Sequence, residues 1–575
     1  MLLEYAWREA DSLSIAFNFF QENLSFWTPK VHFQGWGKGE GYAVGEFPVI
    51  YYLVAQLWKI FGAREYIFYG TTLIFTWLGL FYLFRLTAKI LDDSFWAIFV
   101  SLTLYTSPLL AYNAWSCVPH VIAFGLVWSG VFYYYQYCSQ PKLSSLIIWT
   151  VIFSLVGCIK VVFLGIPLAI LIAQLLLQQK YQNTVTFQFH HFKQVWLAIT
   201  LIFFSSWLWI RYCLNFAQQQ EHLQFMLELD YRITQSGQIN LDYLLASLIK
   251  QTNQLTQQIA AQPLIFSALL IGCSGLIILS FLFRKFDKLL LGTSCLVILG
   301  VLVGVLFNFK YVIHSFVQYT TQILPQIFNN SFFYWTFIAS IVVTFVLIFS
   351  QKAKQQLALI SILVLLVSVA NILLWPFYFK THQYYSILVL ALLPFNLITI
   401  LDYLKQNYPL IFKNQYLRFA GCALLLISIA DTALINRAKY YTEDFFVQNG
   451  LSLIQDDKFF KDFQGNKKYY SKYDKAYETI TPYIRFIGLK RTDKVIVIHT
   501  KIPNLVLYLM DQKGFIFPSN QDLDRQKLQR ALDLGAKYLI THKAHHKLYS
   551  QISDIIDHKL GTYQEIEIFA LKTTT

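Results

Sequence analysis

Through the first three quarters of the chain, apolar residues come in long runs separated by short polar breaks. Twelve runs approach the roughly 20 residues that a spanning helix needs: 66–85, 94–111, 119–137, 145–159, 161–178, 194–213, 264–283, 289–307, 331–350, 357–376, 385–404 and 416–434. The pattern predicts a polytopic α-helical membrane protein with about 12 spans, the pair flanking Lys160 being the shortest. A further run, 47–62, opens Phe47-Pro48, closes on Gly62 and is rich in Tyr and Trp, which fits a helix lying along the outer interface. As a spanning helix it would invert everything that follows. Beyond residue 436 the runs shorten. Lys494–Ile498, Phe515–Phe517 and Lys537–Thr541 read as strands, 505–510 and 523–534 as helices, the second stopped by Gly535, and Glu565–Leu571 alternates as an edge strand. This predicts a small C-terminal α/β domain with helical crossovers.

Composition sharpens the picture. Of 575 residues 56% are hydrophobic and 14% charged, against about 25% charged in a soluble domain. That excludes a cytosolic enzyme, a disordered scaffold and a secreted disulfide module. Residues 436–575 hold 38 of the 78 charged residues, so the reading divides the chain into three. These are an outer loop with an interfacial helix (1–65), a transmembrane domain (66–435) and a soluble domain (436–575). The seven cysteines lie in or beside apolar runs without metal spacing and read as small buried hydrophobes. The net charge of +14 forms no basic groove with stacking aromatics, so nucleic acid is excluded as a partner.

Charge also gives orientation. Arg85, Lys89, Lys142, Lys180, Lys193, Arg284, Lys285, Lys288, Lys352, Lys354, Lys405 and Lys413 all fall in one alternate set of short connections. The opposite set is much longer and holds nine Lys/Arg, or ten with Lys160. The positive-inside rule makes the first set cytoplasmic and places both termini and the 214–263 loop outside a plasma or inner membrane. The chain opens on Glu4, Arg8, Glu9 and Asp11 with no leading apolar segment, so one more helix upstream is expected.

Ionisable groups in such a protein belong where they are hydrated or paired. Asp11 precedes Ile15, Ala16, Phe19 and Phe20, which places it at the start of an amphipathic helix. The helix N-terminus would keep its carboxylate ionised, as a general base requires; the other reading is a simple N-cap. The Gly-rich stretch 35–45 matches no phosphate-loop spacing. Lys160, alone at the edge of an apolar run, calls either for an anion such as a lipid phosphate or for a snorkelling geometry. Lys380, His382, Tyr384 and Tyr385 cluster between two spans, where they could hold a phosphate or sugar or form an aromatic interface belt.

The order Trp7-x-x-x-Asp11-x-x-x-x-Ala16, the box Glu46-Phe47-Pro48, the run ending Leu57-x-x-x-Phe61-Gly62 and many spans resembles the GT-C-fold, lipid-linked-sugar glycosyltransferases. In pattern the chain is most similar to the bacterial aminoarabinose transferases and the protein O-mannosyltransferases of glycosyltransferase family 39. The resemblance spans about residues 5–400. It implies an Asp-Glu catalytic pair, with Asp11 on the Asp, Ser12 in the Glu position, and Glu9 as a weak substitute. It implies a metal-binding or hydrogen-bonding role for Glu46, with Phe47 in place of a phosphate-binding lysine whose charge Lys38, Lys59 or Arg64 would supply. His120 stands where an acidic residue is usual. A histidine there suits either a metal or a structural role. Lys160 matches a family lysine on the outer side of the fifth helix, and His382-x-Tyr384-Tyr385 matches a family box.

The implied activity is an inverting glycosyltransferase on the extracytoplasmic face. Its donor would be a polyprenyl-phosphate-linked sugar and its acceptor a glycan, lipid or protein. Asp11 would be the base, Lys160, Lys380, His382 and Tyr384 would hold the donor phosphate, and Glu46 and His120 would orient it directly or through a divalent Mg, Mn or Zn. A flippase for a lipid-linked saccharide is the reading from another class, but the chain lacks the paired repeats of transporters. A non-catalytic relative is the third, suggested by Ser12, Phe47 and His120.

Overall fold

A computed structural model describes residues 6–35, 38–178, 192–220, 331–348, 355–374, 383–440, 469–470, 472–498, 503–517, 525–544 and 552–572. The helices are α1 (Ala6–Glu22), α2 (Val49–Phe61), α3 (Glu65–Leu91), α4 (Ser94–Tyr105), α5 (Pro108–Asn113), α6 (Pro119–Ser139), α7 (Leu143–Ile159), α8 (Gly165–Gln178) and α9 (Phe192–Gln220). They continue with α10 (Ser331–Ile348), α11 (Gln355–Leu374), α12 (Leu392–Asn407) and α13 (Gln415–Tyr440). Among the described residues four helices are long and apolar enough to cross a membrane: Glu65–Leu91, Lys193–Phe216, Tyr384–Asn407 and Gln415–Leu434. Shorter apolar helices lie between them. The runs 264–283 and 289–307 fall outside the described residues, as does most of the 214–263 loop.

The run 94–111 is two helices rather than one. Pro108 has no N–H to continue a ladder, and the Ser107 hydroxyl caps the new helix by accepting from the Leu110 N–H. α3, α6, α7 and α9 pack in sequence, α4 flanks α3, and α13 lies against α4 and α5. α3 and α6 cross at Gly79 and Gly125, where each glycine faces the other helix's backbone and a side chain would push the pair apart. α2 follows Pro48 and ends at Gly62. It buries Ile50, Tyr51, Val54, Ala55 and Trp58 on one side and exposes Leu53, Ile60 and Phe61 on the other.

The C-terminal region forms a five-stranded sheet of β1 (Lys494–Ile498), β2 (Gly514–Phe517), β3 (Ala536–His542), β4 (Ile556–Tyr563) and β5 (Ile566–Leu571), in the order β2-β1-β3-β5-β4. β1 pairs in parallel with β2 and β3; β5 runs antiparallel to β3 and β4. Helices α14 (Pro503–Leu509) and α15 (Arg525–Asp533) connect the parallel strands. β5 was expected at the edge and instead lies inside, because β4 covers it. β4 escapes the alternation test, with only Ile556, Leu560 and Tyr563 apolar on it.

The free edge of β2 is occupied by the N-terminal segment. Phe33 makes a parallel bridge to Gly514, with Gln34 N–H donating to the Gly514 carbonyl at 2.8 Å and Gly514 N–H to that of His32 at 3.1 Å. Polar contacts continue this docking. Arg491 reaches Glu22 (2.5 Å), Asn18 (2.8 Å) and Asp511 (2.7 Å), and Lys513 pairs with Glu22 at 2.8 Å. The Gly-rich stretch folds back on residues 29–34 through Val31 N–H to Gly41 carbonyl (2.8 Å) and Ala43 N–H to Pro29 carbonyl (2.8 Å). Gly41, at φ +65°, leaves no room for a Cβ against the Val31 carbonyl.

Candidate active site

α1 lies between α2 and α14, so its two faces meet different partners. Arg8, Asp11 and Ser12 share one face at the i, i+3, i+4 spacing of a helix. Glu9 is two residues from Asp11, roughly 200° around the axis. It turns away, accepting from the Cys117 N–H at 3.4 Å. The structure therefore separates Glu9 from Asp11, and Ser12 spends its hydroxyl on the Arg8 carbonyl at 3.0 Å.

The segment before α2 is fixed from the membrane side on both flanks of Glu46. The Trp209 indole of α9 donates to the Gly45 carbonyl (2.9 Å), and Phe47 N–H donates to the Cys158 carbonyl at the end of α7 (3.3 Å). Lys160 leaves α7 in extended conformation two residues later. Glu46 sits at the meeting point. Its carboxylate pairs with Arg8, lies 2.5 Å from Lys160 Nζ, and accepts the Tyr51 hydroxyl at 2.5 Å. Arg8 also donates to Tyr51 at 2.8 Å. The cation that reaches Glu46 from the N-terminal segment is thus Arg8, not Lys38, Lys59 or Arg64. Phe47 packs among Phe26, Trp27 and Trp209.

Beyond Lys160 the chain of contacts continues. Its Nζ lies 5.5 Å from the centre of the Tyr385 ring. His120, in the first turn of α6, packs against Tyr384 (4.6 Å) and Tyr385 (4.7 Å). Asp11, Glu46, Lys160, His120 and Tyr384 are therefore brought into one region, with Arg8, Tyr51 and Tyr385. Lys380 and His382 lie outside the described residues. The sequence reading passed over Arg8 and Tyr51. The i, i+3 spacing of Arg8 to Asp11 was the available signal for the first; nothing in the sequence marks Tyr51.

The two carboxylates differ sharply. Asp11 is 1% exposed, and among the described residues neither of its oxygens has a hydrogen bond of normal geometry. Burial pushes its carboxyl up to about 8, opposed by the Arg8 charge and the nearby Asn504 amide. This corrects the expectation of an ionised group at a helix start: Asp11 lies in the second turn, inside the protein, where desolvation wins. Burial also pushes Glu46 upward, but Arg8 and Lys160 outweigh it and hold it down to about 2. Glu9, on the other face, is raised by burial to about 8.

Among the described residues the donor set does not fit a divalent metal. Glu46 is enclosed by two cations, His120 packs against Tyr384 and Tyr385, and among the described residues no three His, Cys, Asp or Glu side chains gather. What the arrangement offers is a cation pair with one carboxylate between them, a net single positive charge beside a protonated acid. An anionic group is the natural occupant of such a field.

No protein-family model matches the chain, and no curated protein is similar to it. Solved structures are. The apo form of ArnT from Cupriavidus metallidurans is similar at 12% identity and a TM-score of 0.42, over 98% of this chain and 93% of that one. The Archaeoglobus fulgidus oligosaccharyltransferase in complex with Zn and sulfate is similar at 12% identity and a TM-score of 0.48, over 99% of this chain and 69% of that one. ArnT from Cupriavidus metallidurans bound to undecaprenyl phosphate reaches a TM-score of 0.51 at 9% identity, over 99% of this chain and 94% of that one. At that identity the likeness concerns architecture: this chain has the GT-C fold.

Proposed function

We propose that this protein is an inverting glycosyltransferase that takes its sugar from a polyprenyl-phosphate-linked donor on the extracytoplasmic face of the membrane. The transmembrane domain, with about 12 spans, would carry the lipid, and residues 1–65 and 436–575 would cover the site from outside. The observation that carries the reading is the juxtaposition of a buried acid, Asp11, with the Arg8–Glu46–Lys160 cluster. The fold supports it, since the ArnT structure that shares it holds undecaprenyl phosphate.

The chemistry follows from charge. A phosphodiester donor carries one negative charge; when the anomeric carbon–oxygen bond breaks, the phosphate oxygen keeps the pair and the leaving monoester carries two. Arg8 and Lys160 would stabilise that added charge, with Glu46 holding the two cations at a fixed spacing. Asp11, as carboxylate, would take the acceptor hydroxyl's proton while that oxygen forms the new bond to the anomeric carbon. His120 and Tyr384 would line the far side of the phosphate, with Lys380 and His382 as further donors.

The test is transfer by purified protein in lipid, read as release of polyprenyl phosphate from a panel of polyprenyl-phosphate sugars. Asp11→Asn should lower turnover by about 10³-fold and leave donor affinity within about twofold. Full turnover in that variant removes the base assignment, and a wild-type protein inert on every donor removes the transferase reading.

A further inference from the structure

The two sides of α1 are tied down by different parts of the chain, and one tie leads directly to the turn that carries Asp11. Asn504, at the start of α14, is fully buried. Its Nδ2 donates to the Ala10 carbonyl at 3.3 Å, and its Oδ1 accepts the Phe33 N–H at 3.0 Å. Ala10 precedes Asp11, and Phe33 belongs to the strand-like segment that docks on β2. One amide of the C-terminal domain thus clamps together the helix turn and the strand that the N-terminal segment contributes.

We propose that Asn504 is a positioning residue for Asp11, so that the C-terminal domain supplies the last constraint on the reactive acid of a site otherwise built from α1, α2 and the membrane helices. This rests on the functional reading above. The charged groups acting on Asp11 are Arg8 on its own helix and Glu46 on the segment before α2. Asn504 is the uncharged polar group that acts on Asp11 from the tail, and its amide favours the carboxylate against the burial that disfavours it. A mere spacer at this point would hold α14 in place without affecting the acid's proton.

Infrared titration of the full chain in lipid tests this, with the Asp11 carboxyl band identified as the one missing from Asp11→Asn. Asn504→Leu removes the amide. Asn504→Asp keeps the shape and an acceptor for Phe33 N–H but exchanges the donor for a second carboxyl. In both, the Asp11 midpoint should move upward by about one pH unit, and the rising limb of the pH–rate profile should move with it. Arg491→Ala, which weakens the same docking at its far end, should leave the midpoint in place. An unmoved Asp11 midpoint in folded Asn504→Asp overturns the proposal, as does an equal shift in Arg491→Ala. The titration reads Asp11 whether or not transfer occurs, so failure of the functional reading shows as unchanged turnover in Asp11→Asn while the infrared shift stands.

Discussion

Two buried carboxylates stand in one region of this protein and have been driven apart. Asp11 lies on a helix face closed by α2 and the C-terminal domain, and burial raises it to about 8. Glu46 lies on a segment pinned to α7 and α9, and Arg8 and Lys160 hold it near 2. At neutral pH one holds its proton and the other is an anion. Burial is common to both; what separates them is whether cations come within contact distance. Environments that split the titration of neighbouring acids are how a protein assigns different roles to identical groups. Under the proposed function Asp11 would serve proton transfer and Glu46 would hold two cations in place.

The sharpest way to break this contrast is to neutralise each acid in turn and measure thermal stability. Glu46→Gln leaves Arg8 and Lys160 facing each other in a poorly hydrated site and should cost about 3 kcal/mol. Asp11→Asn removes an acid that is uncharged in the folded chain but ionised in the unfolded one at neutral pH, so it should raise stability there instead of lowering it. Equal losses would mean that the two sites are electrostatically alike.

The same contrast predicts opposite pH dependences. Asp11 titrates above its ordinary 3.8, so its contribution to stability is present below that value and is lost as pH rises through about 8. Glu46 titrates below its ordinary 4.5, so its contribution is present above that value and is lost as pH falls toward 2. Thermal melts across pH should therefore lose the decline that runs from about 4 up to about 8 in Asp11→Asn, and the loss below about 4.5 in Glu46→Gln. Turnover should rise with pH through about 8 on a single ionisation, because the base must lose its proton. A flat profile there would assign the base elsewhere.

The smallest expected effect lies at the docking of the C-terminal domain. Arg491 contacts Glu22, Asn18 and Asp511 while remaining partly solvated. Arg491→Ala should cost about 1 kcal/mol, the scale of a partly exposed ion pair, and the loss should shrink in high salt. A loss as large as that of Glu46→Gln would mean that the docking surface, not the membrane-side cluster, carries the electrostatic weight.

Much of this architecture was legible beforehand. The run 47–62 is the helix α2, most described apolar runs are helices within a few residues of their expected ends, and four of the five strands fall on the residues where the pattern placed them, β5 inside the sheet instead of at its edge. Asp11, Glu46, Lys160, His120 and Tyr384 do converge, although the resemblance, rather than the residues, was what linked them. The misses have physical causes. Arg8 was overlooked because an arginine in an exposed-looking acidic stretch carries no mark of the partner it will find 38 residues on. Asn504 and Tyr51 were invisible because a lone amide or phenol acquires meaning only from what it touches.

Hydropathy by itself determined that this chain builds apolar helices and a separate α/β tail, since the cost of leaving apolar side chains in water or backbone groups unpaired in lipid depends on local composition. Where the tail sits, which acid keeps its proton and which cation meets Glu46 were decided only by the tertiary structure. Those outcomes depend on distances between residues tens to hundreds of positions apart, and electrostatic energies in a poorly solvated interior change steeply over a few ångströms.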